Sequence, residues 1–264
     1  MSSPTDLQPS LRFRRAIVRR PGRSVVSGLS KSSHTTPVYE KALEQHDQYV
    51  KALKRCGLDV VILDASEKFP DSTFVEDVAV LTPECAIITA PGAKTRAGEI
   101  QEISTTLSSF FSHIEQITPP GTLEGGDVMQ VGSHYYVGLS ERTNGEGARQ
   151  LIGILDKYGM TGSTIPVHNF LHLKTGVTWI GNNTLVSACG FTVSPEFKNF
   201  RFIQVVEGED KAANCIDLGD EILMPAGFPK TNKLLCGAGF SVVEVDISEF
   251  AKIDGGLTCL SLRF

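Results

Sequence analysis

At 264 residues with 41% hydrophobic content, the chain is long enough to bury one sizeable core, and a barrel or propeller of this length is a single domain. The net charge of −5, with Lys and Arg dispersed, leaves no basic face to follow a phosphate backbone, so nucleic acid is excluded as an expected partner. Residues 1–20 lack the apolar stretch of a secretory signal, and no segment reaches the roughly 18 apolar residues a spanning helix needs, so a soluble, cytoplasmic protein without membrane contact is expected.

In chain order, residues 1–10 are polar and read as a loose terminus to one domain spanning 1–264. FRRAIVRR reads as a strand, and SGLSKSSHTTP, 27–37, as a long surface loop. From Val38 to Arg55 the apolar residues Tyr39, Ala42, Leu43, Tyr49, Val50 and Leu53 share one helix face, and Gly57 stands just past the end as a stop. LDVVILD is a strand, and FVEDVAVL and CAIITA form a hairpin across Thr82-Pro83-Glu84. A second helix runs from about Ala97 to His113 on Ile100, Ile103, Leu107, Phe110 and Phe111. DVMQVG and HYYVGL make a second hairpin across Gly132-Ser133, and a third helix, Gly145 to Tyr158, buries Leu151, Ile152 and Leu155. TLVSAC, RFIQVV, EILMPAG and FSVVEVD read as further strands. Hairpin, helix and another strand recur, which predicts an α/β fold of repeating hairpin-plus-helix modules rather than one doubly wound sheet.

Six cysteines show no C-x-x-C pair and no zinc-type spacing with His, so reduced thiols and no metal or other cofactor are expected. Cys85 and Cys215 lie in apolar runs and read as core residues. Cys259 differs, standing behind two glycines in DGGLTCLSLRF.

Polar residues where apolar ones are expected carry the chemical signal. FVEDVAVL puts Glu76 and Asp77 side by side, so at least one carboxylate of a strand faces inward and requires a cation. TLEGGDV sets Glu124 and Asp127 around two glycines, and LHLKTGV sets His172 between leucines. Each alone is compatible with a structural role: an arginine partner, a turn carboxylate or a core histidine. A thiol, a histidine and several carboxylates together are the parts of a cysteine enzyme acting on a cationic substrate.

FVEDVAV, PGAKTR, LEGGDV, VGLSERTN, LHLK, AANC and DGGLTC, in this order and spacing, resemble the dimethylarginine dimethylaminohydrolases, a likeness running from about Phe13 to Cys259. The resemblance implies an α/β-propeller (pentein) of five ββαβ-type modules around a central active site. It also implies hydrolysis of dimethyl- or monomethylarginine to citrulline through a covalent thiouronium. On that resemblance Cys259 is the nucleophile, His172 the general acid and base, and Glu124 the carboxylate orienting the imidazole. Asp77, with Glu76 beside it, anchors the guanidinium. Arg96 and Arg142 hold the α-carboxylate, Asp71 and Leu29 lie by the α-ammonium, and Ile253 offers its carbonyl to the guanidino nitrogens. The partner is then a small molecule, with a homodimer compatible, and zinc is expected to inhibit by capturing Cys259 and His172. The alternatives are an arginine deiminase-like or other guanidino hydrolase on the same scaffold, a non-catalytic amino-acid binder and, more remotely, a metalloenzyme. Arginine deiminases usually add a helical domain and carry arginine where Glu76 stands here.

Overall fold

The computed structural model describes residues 13–30, 35–191 and 194–264, and in it one unit recurs in five three-stranded sheets. Each is an antiparallel pair of strands whose second member pairs in parallel with a third, after a crossover. The first module holds β1 (Arg15–Arg19), α1 (Tyr39–Arg55) and β2 (Asp59–Leu63). The second is β3 (Ala79–Leu81), β4 (Ala86–Ile88), α2 (Ile100–Leu107) and β5 (Ile114–Gln116). The third is β6 (Val128–Val131), β7 (His134–Leu139), α3 (Gly145–Lys157) and β8 (Thr161–Pro166). In the fourth, α4 (Leu173–Gly176) precedes β9 (Val177–Trp179) and β10 (Thr184–Ser187), and a 3-10 turn at Pro195–Phe197 lies on the way to β11 (Arg201–Gln204). The fifth is β12 (Ile216–Asp217), β13 (Ile222–Pro225), α5 (Pro229–Gly237) and β14 (Val242–Val245). Finally β15 (Leu262–Arg263) returns to pair antiparallel with β1, Ala16 opposite Arg263 and Ile17 opposite Leu262, completing the first sheet with the far end of the chain. The modular α/β-propeller expectation therefore holds, including its five repeats. Among the described residues no helix is long and apolar enough to cross a membrane.

Apolar side chains between modules supply the core. One face of α1 buries Tyr49, Val50 and Leu53 against Val245, Phe250 and Leu260 of the last module. Leu151 and Leu155 of α3 pack with Ile87 and Val137. The Tyr49 hydroxyl is satisfied by Ser261 Oγ at 2.6 Å and donates to the Leu257 carbonyl at 3.1 Å, so α1 also braces the segment that carries Cys259.

Some local readings are corrected. FVEDVAVL is not a strand throughout: Val75–Val78 is a 3-10 turn and only Ala79–Leu81 pairs. A strand would point Glu76 and Asp77 to opposite faces, whereas the turn buries both, each among its own partners. The second helix is confined to α2: before it Ala97 and Glu99 bond back three residues to Lys94 and Arg96, and after it Ser109 and Phe110 bond back three residues to Thr106 and Leu107, so tighter turns flank the α pattern. The expected loose terminus at 1–10, and 31–34 of the expected loop, lie outside the described residues. All six cysteines carry free thiols.

Just ahead of each hairpin stands a short helical turn: Val75–Val78, Gly125–Asp127, α4, Asp210–Ala213 and Thr258–Leu260. Each packs against its neighbours: 258–260 on 75–78, 75–78 on 125–127, then 125–127 on α4 and α4 on 210–213. Asn214 closes the circle, accepting the Thr258 N–H at 2.9 Å and donating to its hydroxyl at 3.1 Å. The repeat thus delivers five equivalent turns to the centre of the molecule.

Candidate active site

Asp77 and Cys259 from two of these turns, and Glu124 and His172 from just before two others, face a cavity of about 160 Å³. Leu29, Asp71, Asp77, Arg96, Glu124, Arg142, His172, Ile253 and Cys259 all line it. Of the residues given a role by the resemblance, only Glu76 does not. Its carboxylate turns the other way, accepting Lys174 Nζ at 2.5 Å, Arg263 Nη2 at 2.8 Å and the Thr258 hydroxyl at 2.7 Å. Asp77 turns inward. Its Oδ2 takes Arg96 Nη1 at 2.5 Å and its Oδ1 accepts the Gly126 N–H at 3.0 Å.

Glu124 is 1% exposed and collects His172 Nε2 at 2.7 Å, the Ala93 N–H at 3.0 Å and Arg142 Nη1 at 3.3 Å. Asp77 Oδ1 lies 3.9 Å from the same imidazole nitrogen. Gly126 makes this crowding feasible, since a Cβ there would stand 2.6 Å from His172 Nδ1. Likewise a Cβ on Gly255 would meet the Phe74 ring, and one on Gly256 the Asn214 amide, so the paired glycines let the chain reach the Thr258–Leu260 turn. The thiol therefore sits on a turn ahead of β15 rather than on the strand itself.

Arg96 is not a solvated surface arginine. It is buried, with Nε on Glu99 at 3.1 Å and Nη2 donating to the Phe74 carbonyl at 2.8 Å. Asp71 accepts the Leu29 N–H at 2.9 Å, tying the cavity's edge to the start of the 28–38 segment. Sequence reasoning missed Glu99, Lys174, Arg263 and Asn214, which hold Arg96, Glu76 and the Thr258 turn. For Glu99 the spacing of three from Arg96 was a usable signal, while the others meet their partners only through the fold.

The electrostatics set the protonation state. Burial by itself would depress His172, but the Asp77 charge, the Glu124 hydrogen bond and Asp127 overcome it and raise its pKa to about 9. The pair's other member, Glu124, is held low despite its burial by the imidazole hydrogen bond and charge. Burial, then Asp77 and Glu76, push the Cys259 thiol up to about 12, against the opposing pull of the Gly256 N–H and Lys174. Near neutral pH the cavity is therefore lined by a neutral thiol and an imidazolium together with two buried carboxylates. Asp77, Glu124 and His172 bring ligand-type atoms within 4.8 Å of one another, an array suited to a cation. A planar cation meeting Asp77 would also weaken what keeps Cys259 protonated.

Comparison with known proteins agrees with this chemistry. A family model described as N,N dimethylarginine dimethylhydrolase, eukaryotic, matches residues 28–189. The N(G),N(G)-dimethylarginine dimethylaminohydrolase of Pseudomonas aeruginosa is 49% identical over 96% of this chain and 100% of its own. The Streptomyces coelicolor protein of the same name is 37% identical over 95% of this chain and 96% of its own. A solved structure of the Pseudomonas aeruginosa enzyme, as a cysteine-to-serine mutant complexed with citrulline, superposes with a TM-score of 0.94 at 48% identity, covering 96% of this chain and 100% of that one. The N-terminal domain of ArgZ, a cyanobacterial arginine dihydrolase, shares the fold at 20% identity, with a TM-score of 0.83 over 94% of this chain and 97% of that one. With five hairpin modules, a cysteine and histidine set among buried carboxylates, and near-full-length identity of this order, the chain belongs to the dimethylarginine dimethylaminohydrolase family.

Proposed function

We infer that this chain hydrolyses N-omega,N-omega-dimethyl-L-arginine, and its monomethyl counterpart, to L-citrulline and dimethylamine or methylamine. The observation that carries the reading is the meeting of Cys259, His172, Glu124 and Asp77 in one cavity of about 160 Å³. Its other lining groups, Asp71, Arg142 and Arg96, suit the ends of an amino acid. In this reading Asp77 anchors the guanidinium, with Ile253 offering its carbonyl. Arg142 and Arg96 meet the α-carboxylate, and Asp71 with the Leu29 backbone meets the α-ammonium. Glu76 supports the site through Lys174, Arg263 and Thr258 rather than touching substrate.

Because His172 holds its proton near neutral pH, it is not the base for the thiol. The guanidinium on Asp77 lowers the Cys259 pKa, and the thiol proton leaves to solvent. The thiolate adds to the guanidinium carbon, and His172 protonates the departing dimethylamine, leaving a thiouronium and a neutral imidazole. That imidazole takes a proton from water as the oxygen adds to the carbon, and collapse expels the thiolate, the hydroxyl proton passing to the sulfur or to solvent as citrulline is released. Acid–base assistance of this kind contributes ~10²–10⁴-fold. The same reading makes the chain one cytoplasmic catalytic domain with a small-molecule substrate.

The test is purified protein with asymmetric dimethylarginine and, separately, with arginine, products separated by liquid chromatography. Citrulline and dimethylamine in equal amounts are expected. Ammonia from arginine with no dimethylamine from dimethylarginine would overturn the substrate assignment in favour of a deiminase.

A further inference from the structure

Asp127 is fully buried, and both of its carboxylate oxygens are engaged. Oδ1 accepts the N–H of Leu173, the residue after His172, at 2.9 Å. Oδ2 accepts the Ser140 hydroxyl at 2.7 Å. Ser140 Oγ in turn accepts the backbone N–H of Arg142 at 3.0 Å and of Thr143 at 3.3 Å. The Thr143 hydroxyl accepts the Glu124 N–H at 3.1 Å, and the Glu124 side chain holds His172. These bonds form a closed loop through Asp127, Ser140, Thr143, Glu124, His172 and back through Leu173. β7 leaves room for it, because a Cβ on Gly138 would stand 2.8 Å from Asp127 Oδ1.

A buried carboxylate costs free energy unless a charge offsets it. Burial raises the Asp127 pKa, and the largest opposing influence is the charge on His172. Its cost is thus tied to the imidazolium. An amide or apolar side chain at 127 would fill the space without it.

We propose that Asp127 is a positioning residue for the reaction, fixing His172 through the Leu173 N–H and Arg142 through Ser140, so that one carboxylate keeps the acid–base group and the carboxylate-binding arm in register. This rests on the hydrolase reading above. The Ser140 arm bears directly on Arg142 and reaches His172 only through Thr143 and Glu124, whereas the Leu173 arm and the Asp127 charge bear on His172 directly. Asn at 127 removes the charge and presents an N–H₂ to one of the two arms in place of an acceptor.

The experiment compares Asp127→Asn and Ser140→Ala with the wild-type chain, by steady-state kinetics on dimethylarginine and by 15N NMR titration of the His172 imidazole without substrate. For Asp127→Asn we expect the imidazole to titrate below the wild-type value, with proton affinity down about tenfold. Its kcat should fall about tenfold and its KM rise severalfold, as misplacement of reacting groups predicts. For Ser140→Ala we expect KM to rise about 3–10-fold, with smaller changes in kcat and in the imidazole titration than Asp127→Asn produces. A folded Asp127→Asn protein with wild-type titration and kcat would overturn the proposal, as would a Ser140→Ala protein with unchanged KM. The second result decides even if Asp127→Asn fails to fold. Should the wild-type chain release no citrulline, the hydrolase reading fails, while the titration still reports whether Asp127 governs His172.

Discussion

Replacing Asp77 by Asn is expected to make Cys259 react faster with a neutral alkylating agent while making the enzyme slower. The thiol stands at about 12 against an ordinary 9.0, through burial first and the Asp77 charge second. A like charge within a few ångströms moves a pKa by about 1–3. Taking the lower part of that range for one removed charge, the thiolate population at pH 8 rises about 10–100-fold. Intrinsic nucleophilicity falls as the pKa falls, with a Brønsted coefficient of about 0.4–0.5, so the net gain in alkylation rate is about 3–10-fold. Turnover should drop ~10²-fold or more, the scale of losing one preorganised charge partner of a transition state. The assay is iodoacetamide labelling without substrate at pH 8, read by mass spectrometry on the Cys259 peptide, with exposed Cys236 as internal reference. Labelling of a folded Asp77→Asn protein at or below the wild-type rate would refute the claim that the Asp77 charge adds to burial in raising the Cys259 pKa.

Glu76→Gln should cost about 3–5 kcal/mol of stability by stranding Lys174 and Arg263, seen as a lower urea midpoint. An unchanged midpoint with raised KM would instead put Glu76 against the substrate. Gly126→Ala should reduce kcat about 10²-fold, because its Cβ would stand 2.6 Å from His172 Nδ1 and 2.9 Å from Asp77 Oδ1; wild-type steady-state kinetics in that variant would contradict the crowded geometry. Burial brings the His46 pKa from 6.5 down to about 4. The unfolded chain then protonates first, so the stability present above pH 6.5 drains away toward pH 4, by about 3 kcal/mol in full. In urea titrations at pH 7 and 4.5 a His46→Leu variant should lose less stability on acidification than the wild type, and equal losses would exclude this account.

α1 and α3 were legible because their buried side is a stripe that periodicity reveals, Ala42, Tyr49 and Leu53 in one and Ala148, Leu151 and Leu155 in the other. α5 was not, since it buries only Thr231 and Leu235, although Pro229 at its first turn marks its start. The third strands β5 and β8 escaped notice for a related reason: largely solvated and polar, they are defined by the parallel partner rather than by their own residues. In the cavity, Asp77, Glu124, His172 and Cys259 stood out as reactive groups in apolar or glycine-rich surroundings, and their roles came from resemblance. Glu76 was set beside Asp77 at the guanidinium by resemblance alone, whereas the 3-10 turn sends the two adjacent carboxylates to separate partners. One of those partners, Arg263, is 187 residues away.

The return of β15 to β1 has a consequence for biosynthesis. The ribosome makes β1 among the earliest strands, yet its edge waits for Leu262 and Arg263, and the Thr258–Leu260 turn is held between that pairing and Asn214. Domains fold as units while translation proceeds at about 5–20 residues per second. A nascent polypeptide stalled before Thr258 would hold four whole modules and an open first one, and would lack the cavity thiol. Cys259 enters the molecule with the same few codons that complete the first sheet, so the cavity thiol and the closing strand arrive together.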